Sequence, residues 1–347
     1  MPSPKIDKSK GGLLLAGDIG ATNTRLALYD MHEDLHKAKR AANFMGTEYK
    51  GLVEILHEFL SGQDGPVLAA CFGAAGPVIE GRVRLTNLPW IVDSAELLDT
   101  FGWEGVWLLN DLQAIANSIP LLTGPDLHTL KVGIPQAHGN MAVIAPGTGL
   151  GMGYLTWAGG RYTPHATEGG HSDFAPANVL QDELLSFVRV KHPQVAVELI
   201  CSGLGLPNVY AFLKSTGRAE EPPWLAKELA AVEDITPVIM ENGLAAKPGS
   251  ELCQQALQIF VDVLAAEAGN LALVYGSTGG VYLGGGIPPR ILPALKRYEF
   301  MRTFLAKTGY EYYLERFPVH IMLNSEVGLI GAAAYGIQQV LFPERAV

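Results

Sequence analysis

The first clear pattern of apolar and polar positions is Leu13–Asp30, LLLAGDIGATNTRLALYD. An apolar run, a short polar interruption and a second alternating run predict strand, tight turn and strand. Tyr49 to Leu60 carries apolar residues at helical spacing, and Val67 to Phe72 is a continuous apolar run of strand length followed by the loop Gly73–Pro77. Arg82 to Leu85 reads as a short strand leading into Thr86-Asn87-Leu88-Pro89-Trp90, and Ser94 as the cap of a helix through Asp99. A strand at Val106–Leu109 ends on Asn110-Asp111. The spacing then predicts a helix from Leu112 to Ile119, with Pro120 and Gly124-Pro125 marking a boundary.

The second half begins in the same way. Met141–Ala145 predicts a strand, Pro146–Gly149 a turn and Leu150–Trp157 a second strand. Thr236-Pro237 reads as an N-cap with Pro at the first helical position. Ser250 opens a long apolar helix to about Ala272, Val281–Leu283 is a strand running into Gly284–Pro289, and Gly328–Leu341 is the final helix. Two similar hairpins, one in each half, suggest a duplicated βββαβαβ core with a nucleotide between the halves. Met141–Gly160 and Leu271–Pro289 carry no charged residue, but their glycines would weaken a membrane helix. Strand–turn–strand hairpins are the expectation for both.

Composition narrows the function. With 347 residues, 48% of them hydrophobic, the chain can build two domain cores. A formal net charge of −10 argues against nucleic acid or an acidic membrane surface as partner. Cys71, Cys201 and Cys253 form no CxxC pair, so neither a zinc ribbon nor a disulfide framework is indicated, and the short polar start MPSPKIDKSKGG is not a signal peptide. No GxxxxGK[ST] occurs, and no GxGxxG stands between a strand and a helix, which disfavours the P-loop and dinucleotide folds.

The candidate chemistry sits at the ends of these elements. The hairpin tip after Asp18 is either an ordinary glycine turn or a concave cluster of amides for phosphate. In the second case the carboxylate needs a cation such as Mg²⁺ beside it. Asp111, where a strand meets a helix, is either a helix cap or a carboxylate that accepts a hydroxyl proton in phosphoryl transfer. Glu168-Gly169-Gly170-His171 is a polar turn or a loop presenting an acceptor and a donor–acceptor to a polyol. Glu198, inside Val195–Ile200, either faces solvent or finds buried partners such as sugar hydroxyls. Gly284-Gly285-Gly286 is a glycine-rich turn that would let a flat ring approach the backbone.

GDIGATNTRLAL, LLNDLQAIANSIP, PGTGLGMGYL, EGGHSDFAP, CSGLGLPNVY, AGNLALVYGSTGGVYLGGGIPPR and GLIGAAAYG follow one another between Leu13 and Val340. In this order they resemble the bacterial-type glucokinases, ATP:D-glucose 6-phosphotransferases of the hexokinase/actin/heat-shock ATPase superfamily. The resemblance implies an α/β, two-domain actin-like ATPase (ribonuclease H-like) fold with an interdomain cleft. Residues 1–121 plus 325–347 would form a small α/β domain and residues 122–324 a large one. It implies that Gly17, Asp18, Ile19, Gly20, Ala21 and Thr22 form the ATP phosphate loop, with Asp18 near Mg²⁺, directly or through water. Gly147, Thr148 and Gly149 would be the second phosphate hairpin, and Gly284, Gly285 and Gly286 would lie near the adenosine. Asn110, Asp111, Glu168, His171 and Glu198 would hold glucose, with Asp111 as general base towards the 6-hydroxyl.

It further implies Mg²⁺ with ATP, no zinc, glucose and ATP as the small-molecule partners, no nucleic acid or membrane, a cytoplasmic homodimer and the first step of glycolysis. Two departures stand out. Ala21 occupies a position where the family often has Gly, and Pro146 has no N–H to offer phosphate. The related repressor/kinase group usually carries a Cys-rich zinc site, which this sequence lacks. The competing readings are a kinase for another hexose, or a sugar-binding regulator that has lost catalysis. The regulator would need an added DNA-binding module, and no such basic segment is present.

Overall fold

A computed structural model of the protein describes residues 12–20, 23–85 and 88–342. Three strands, β1 (Leu13–Ile19), β2 (Asn23–Asp30) and β3 (Arg40–Met45), lead into α1 (Leu52–Leu60) and β4 (Val67–Ala74). Short strands β5 (Val78–Ile79), β6 (Arg82–Arg84) and β7 (Ile91–Asp93) precede α2 (Ser94–Phe101), β8 (Gly105–Asn110) and α3 (Asp111–Ser118). Next come β9 (Leu127–Lys131), β10 (Met141–Pro146), β11 (Leu150–Ala158) and β12 (Arg161–Thr167). Five helices follow, α4 (Val179–Arg189), α5 (Leu206–Ser215), α6 (Pro223–Ala230), α7 (Thr236–Ala245) and α8 (Glu251–Tyr275). The chain ends with β13 (Gly280–Leu283), α9 (Leu292–Arg297), α10 (Phe300–Leu305), α11 (Glu311–Leu314), β14 (Val319–Met322) and α12 (Val327–Leu341).

Two compact units result. One comprises Met1–Thr123, Tyr162–Ala166 and Asn324–Val347, the other Gly124–Arg161 and Thr167–Leu323. The first is built on a five-stranded sheet ordered β3-β2-β1-β4-β8, with β1, β4 and β8 parallel. Alternation along the strands divides its core. Leu15, Ile19, Leu26, Leu28 and Phe72 join one apolar cluster with α1, while Leu14, Ala16, Ala27, Tyr29 and Cys71 join another with α12. Helix α12 comes very close to α3, because a Cβ on Gly331 would fall 1.7 Å from the Ala114 carbonyl oxygen.

The second sheet runs β12-β11-β10-β13-β14-β9. Helix α8 lies in the core of the second unit. It is the one helix among the described residues that is long and apolar enough to cross a membrane, and 67% of its most apolar window is buried within the protein. Packed against α5, α7 and α10, it has the surroundings of a core helix.

Several expectations shift. The strand read as Val67–Phe72 continues to Ala74, because Gly73 and Ala74 pair with Asp18 and Ile19. The cap of α2 is Asp93, whose Oδ1 accepts from the Ala95 N–H at 2.9 Å, so Ser94 is the first helical residue. Thr236 likewise starts α7 rather than capping it, since its hydroxyl donates to the Gly203 carbonyl at 2.6 Å. The run Leu271–Pro289 is not a hairpin. It is the end of α8, a turn at the left-handed Gly276 (φ 56°), and β13. The three cysteines are buried and free, and burial pushes the Cys71 and Cys201 thiols well up. Ala21, Thr22, Thr86, Asn87 and the start of the chain before residue 12 lie outside the described residues.

Candidate active site

In the first unit the predicted residues gather at one edge of the sheet. Asp18 pairs with Gly73 on β4, and Gly73 with Leu109 on β8, so Asp18 and Asn110 lie at the same end of β1 and β8, parallel strands separated by β4. That spacing is about 10 Å. Gly17 is buried against Phe72, which would meet a Cβ there at 2.4 Å, and Ile19 is a core residue. Gly20 closes the described part of the hairpin, its N–H donating to the Asn23 carbonyl at 2.9 Å.

Asp18 faces α12. A Cβ on Gly328 would stand 3.1 Å from its carboxylate, so glycine lets the first turn of that helix approach without displacing Asp18. Burial pushes the Asp18 carboxyl above the usual carboxylate range. The guanidinium of Arg25, its cross-strand partner, works the other way. Arg25 also donates from Nη1 to the Ser325 carbonyl at 2.8 Å, tying β2 to the segment before α12. This role of Arg25 was missed in the sequence, although strict hairpin pairing would have placed it opposite Asp18.

Asn110, not Asp111, caps α3. Its Oδ1 accepts from the Leu112 N–H at 2.9 Å, and its Nδ2 donates to the Gly76 carbonyl at 3.2 Å. Asp111 is the first residue of the helix, with Oδ1 also accepting from Leu112 N–H at 2.8 Å. The cap therefore holds the neighbouring carboxylate at the strand end.

In the second unit two groups form around β10 and β11. The Gly147 and Thr148 carbonyls accept from Gly203 N–H (2.8 Å) and Leu204 N–H (3.1 Å), and Gly147 N–H is used by the Gly149 carbonyl. The amides of Thr148 and Gly149 have no protein partner among the described residues. Beside this turn, Gly284 N–H donates to the Ile144 carbonyl at 2.9 Å. Gly285 takes φ 77° against Pro146, whose carbonyl oxygen a Cβ would meet at 2.5 Å, and Gly286 is open.

The other group contains Glu168, His171 and Glu198. Glu168-Gly169-Gly170-His171 is a single 3₁₀ turn in which both acid and imidazole are exposed. Its glycines let it lie on β11. A Cβ on Gly170 would fall 2.0 Å from the Leu150 carbonyl oxygen, and one on Gly169 2.9 Å from the Met152 sulfur. Glu198 Oε1 is 3.8 Å from His171 Nδ1, while Oε2 accepts from Leu150 N–H at 2.9 Å. Glu198 is half-buried, and one of its partners is backbone. The stretch Ser202–Gly205 had no assigned role in the sequence. It supports both the Gly147–Gly149 turn, through Gly203 and Leu204, and Glu198, whose carbonyl accepts from Ser202 Oγ at 2.7 Å.

A sequence model of the glucokinase family matches residues 15–339. The chain belongs to the glucokinase family. It is 38% identical to a glucokinase of Nostoc punctiforme over 334 residues, 92% of this chain and 98% of that one. The fold is similar to the crystal structure of a glucokinase from an Antarctic psychrotroph, with a TM-score of 0.81 and 30% identity, covering 94% of this chain and 99% of the other. A ROK family glucokinase from Streptomyces griseus, crystallised with glucose and AMPPNP, shares the fold at a TM-score of 0.63 and 20% identity, covering 94% and 100%. The protein is therefore a mixed α/β enzyme of the glucokinase type that phosphorylates glucose.

The residues fit Mg²⁺ carried by a nucleotide better than a resident metal. Among the described residues no cluster of three or more His, Cys, Asp and Glu side chains is placed to hold an ion. A single partly buried carboxylate such as Asp18 suits Mg²⁺, which commonly takes one or two carboxylates, several waters and substrate phosphates.

Proposed function

We propose that this enzyme transfers the γ-phosphoryl group of ATP to the 6-hydroxyl of D-glucose, giving glucose 6-phosphate and ADP. The observation that carries this reading is the Gly147–Gly149 turn. Its carbonyls are tied back to Gly203 and Leu204 and its Thr148 and Gly149 amides are left for an anion, an arrangement that suits phosphate oxygens. Gly17–Thr22 would be the companion phosphate loop, and Gly284–Gly286 would pass beside the adenosine. Mg²⁺ held near Asp18 would supply charge neutralisation for the phosphates.

Asn110, Asp111, Glu168, His171 and Glu198 would hold glucose. Asp111 would take the proton of the 6-hydroxyl as that oxygen bonds to the γ-phosphorus and ADP leaves. The same reading includes the duplicated βββαβαβ core. Counting β1, β2, β3, β4, β8 in one sheet and β10, β11, β12, β13, β14 in the other, both have the order third, second, first, fourth, fifth, with β9 added at the edge of the second, which supports a duplication. It includes the domains 1–121 plus 325–347 and 122–324, supported by the division of contacts near Thr123 and Asn324.

A coupled assay with glucose and ATP, ADP or polyphosphate tests the donor, with turnover expected for ATP. Asp111→Ala should lower kcat by about 10²–10⁴, and the fold should survive because Asn110 still caps α3. A folded Asp111→Ala enzyme with nearly unchanged kcat overturns the assignment.

A further inference from the structure

The sugar and phosphate groups of the second unit converge on one backbone residue, Leu150. Its N–H donates to Glu198 Oε2 at 2.9 Å. Its carbonyl oxygen lies where only glycine at position 170 allows the Glu168–His171 turn to pass. Glu198 Oε1 faces His171 Nδ1 at 3.8 Å, and the Ser172 carbonyl accepts from Val197 N–H at 2.9 Å, so the sugar turn is also tied to the segment carrying Glu198. That segment continues into Gly203 and Leu204, whose N–H groups hold the Gly147 and Thr148 carbonyls. Contact at Gly149 is closer still, since a Cβ there would fall 2.3 Å from Glu198 Oε2. A carboxylate is a rigid plane, so its two oxygens cannot move independently.

We propose that Glu198 is a positioning residue that couples sugar binding to the phosphate turn, holding the sugar side through Oε1 and the amide of Leu150, next to Gly149, through Oε2. This rests on the proposed function. With glucose hydroxyls bound at Oε1 and His171, the carboxylate is fixed and the Leu150 end of the turn is fixed with it. Where Glu198 Oε2 is lost or turned away, Leu150 N–H loses its acceptor and the turn loses one of its three ties to the 198–204 segment. Linkage then requires that nucleotide and sugar raise each other's affinity by the same factor. A carboxylate that merely braced the turn would produce no such effect on the sugar.

The test is calorimetric titration of glucose, without nucleotide, into the full-length protein. Gly149→Ala, a change in the phosphate turn, should weaken glucose binding about tenfold, the size of coupling usual between contacting residues. Gly51→Ala, in the first unit and without a role in either group, whose Cβ meets no atom within 4 Å, should leave glucose affinity as it is. In a Glu198→Ala background, Gly149→Ala should add no further loss. Glu198→Gln keeps an acceptor for Leu150 N–H, so it should retain AMPPNP affinity while losing glucose affinity, whereas Glu198→Ala should lose both.

Unchanged glucose affinity in Gly149→Ala, or losses that add in the double variant, overturns the coupling. Should Gly149→Ala fail to fold, the Gln and Ala variants decide: equal AMPPNP affinity in the two overturns it. A wild-type protein that phosphorylates glucose but shows none of these cross-effects refutes the coupling alone. One that binds no glucose refutes the functional reading as well.

Discussion

The hairpins β1–β2 and β10–β11 lie one in each unit, and each is built from an apolar strand, a polar turn and a second strand. They differ in where their charge originates. Asp18 belongs to β1 itself, is opposed by Arg25 on β2, and is covered by the first turn of a regular helix, α12. The β10–β11 turn has no charge of its own. Its carboxylate is Glu198, 48 residues beyond Leu150, delivered by an irregular segment that also ties down the turn carbonyls. A strand-borne acid is set by hairpin pairing, whereas a borrowed one depends on how a distant loop packs. The first arrangement should therefore fail by losing its charge or its helix contact, the second by local loosening.

The largest effect expected is at Asp18. Asp18→Ala should lower kcat/KM by about 10²–10³ and raise the Mg²⁺ concentration needed for half-maximal turnover, because a positioned charge is lost. Glucose affinity without nucleotide should not change. Mg²⁺ titrations of activity check this, and an unaltered Mg²⁺ requirement removes Asp18 from the metal.

A smaller loss is expected where helix meets helix. Gly331→Ala places a Cβ 1.7 Å from the Ala114 carbonyl oxygen, between two backbones that cannot separate locally. The cost should be about 1–3 kcal/mol or more in denaturant unfolding. Gly286→Ala in the second unit meets nothing within 4 Å and should stay within about 0.5 kcal/mol. Equal losses would erase the contrast between a rigid and an open glycine.

The smallest effect belongs to the second sheet. Burial holds the imidazole of His320 on β14 below its usual 6.5, where it bonds Thr129 Oγ1 at 3.0 Å. Between 6.5 and the lower native value the unfolded chain binds a proton that the folded one does not. Stability is thus fully present above 6.5 and declines as pH falls, by no more than about 1.4 kcal/mol per pH unit for one proton. His320→Gln should flatten that slope in thermal or chemical unfolding between pH 7 and 5. A slope unchanged by the substitution would assign it to other groups.

Much of this was legible along the chain because it is local. Alternating apolar positions gave both hairpins, and Asn110-Asp111 fell where a strand hands over to a helix. Caps were harder, since Asp93 and Asn110 each had a polar neighbour equally suited by type. Asp93 won because its carboxylate reaches the Ala95 amide and Asn110 because its amide reaches both Leu112 and Gly76. The end of α8 was read as a hairpin because short apolar runs rich in glycine do not distinguish a helix terminus from a strand.

By itself, the sequence determined the strands, the turn glycines, the family and the identity of the chemical groups, because periodicity and short motifs are fixed by covalent neighbours. Only the tertiary structure decided which atoms those groups face. That Gly328 makes room for Asp18, that Gly170 lets the Glu168–His171 turn lie on β11, and that Glu198 gives one oxygen to Leu150 all depend on contacts between residues 20 to 310 positions apart. Such contacts are set by close packing of whole elements, where a single Cβ decides whether two backbones can meet, and no local pattern records that.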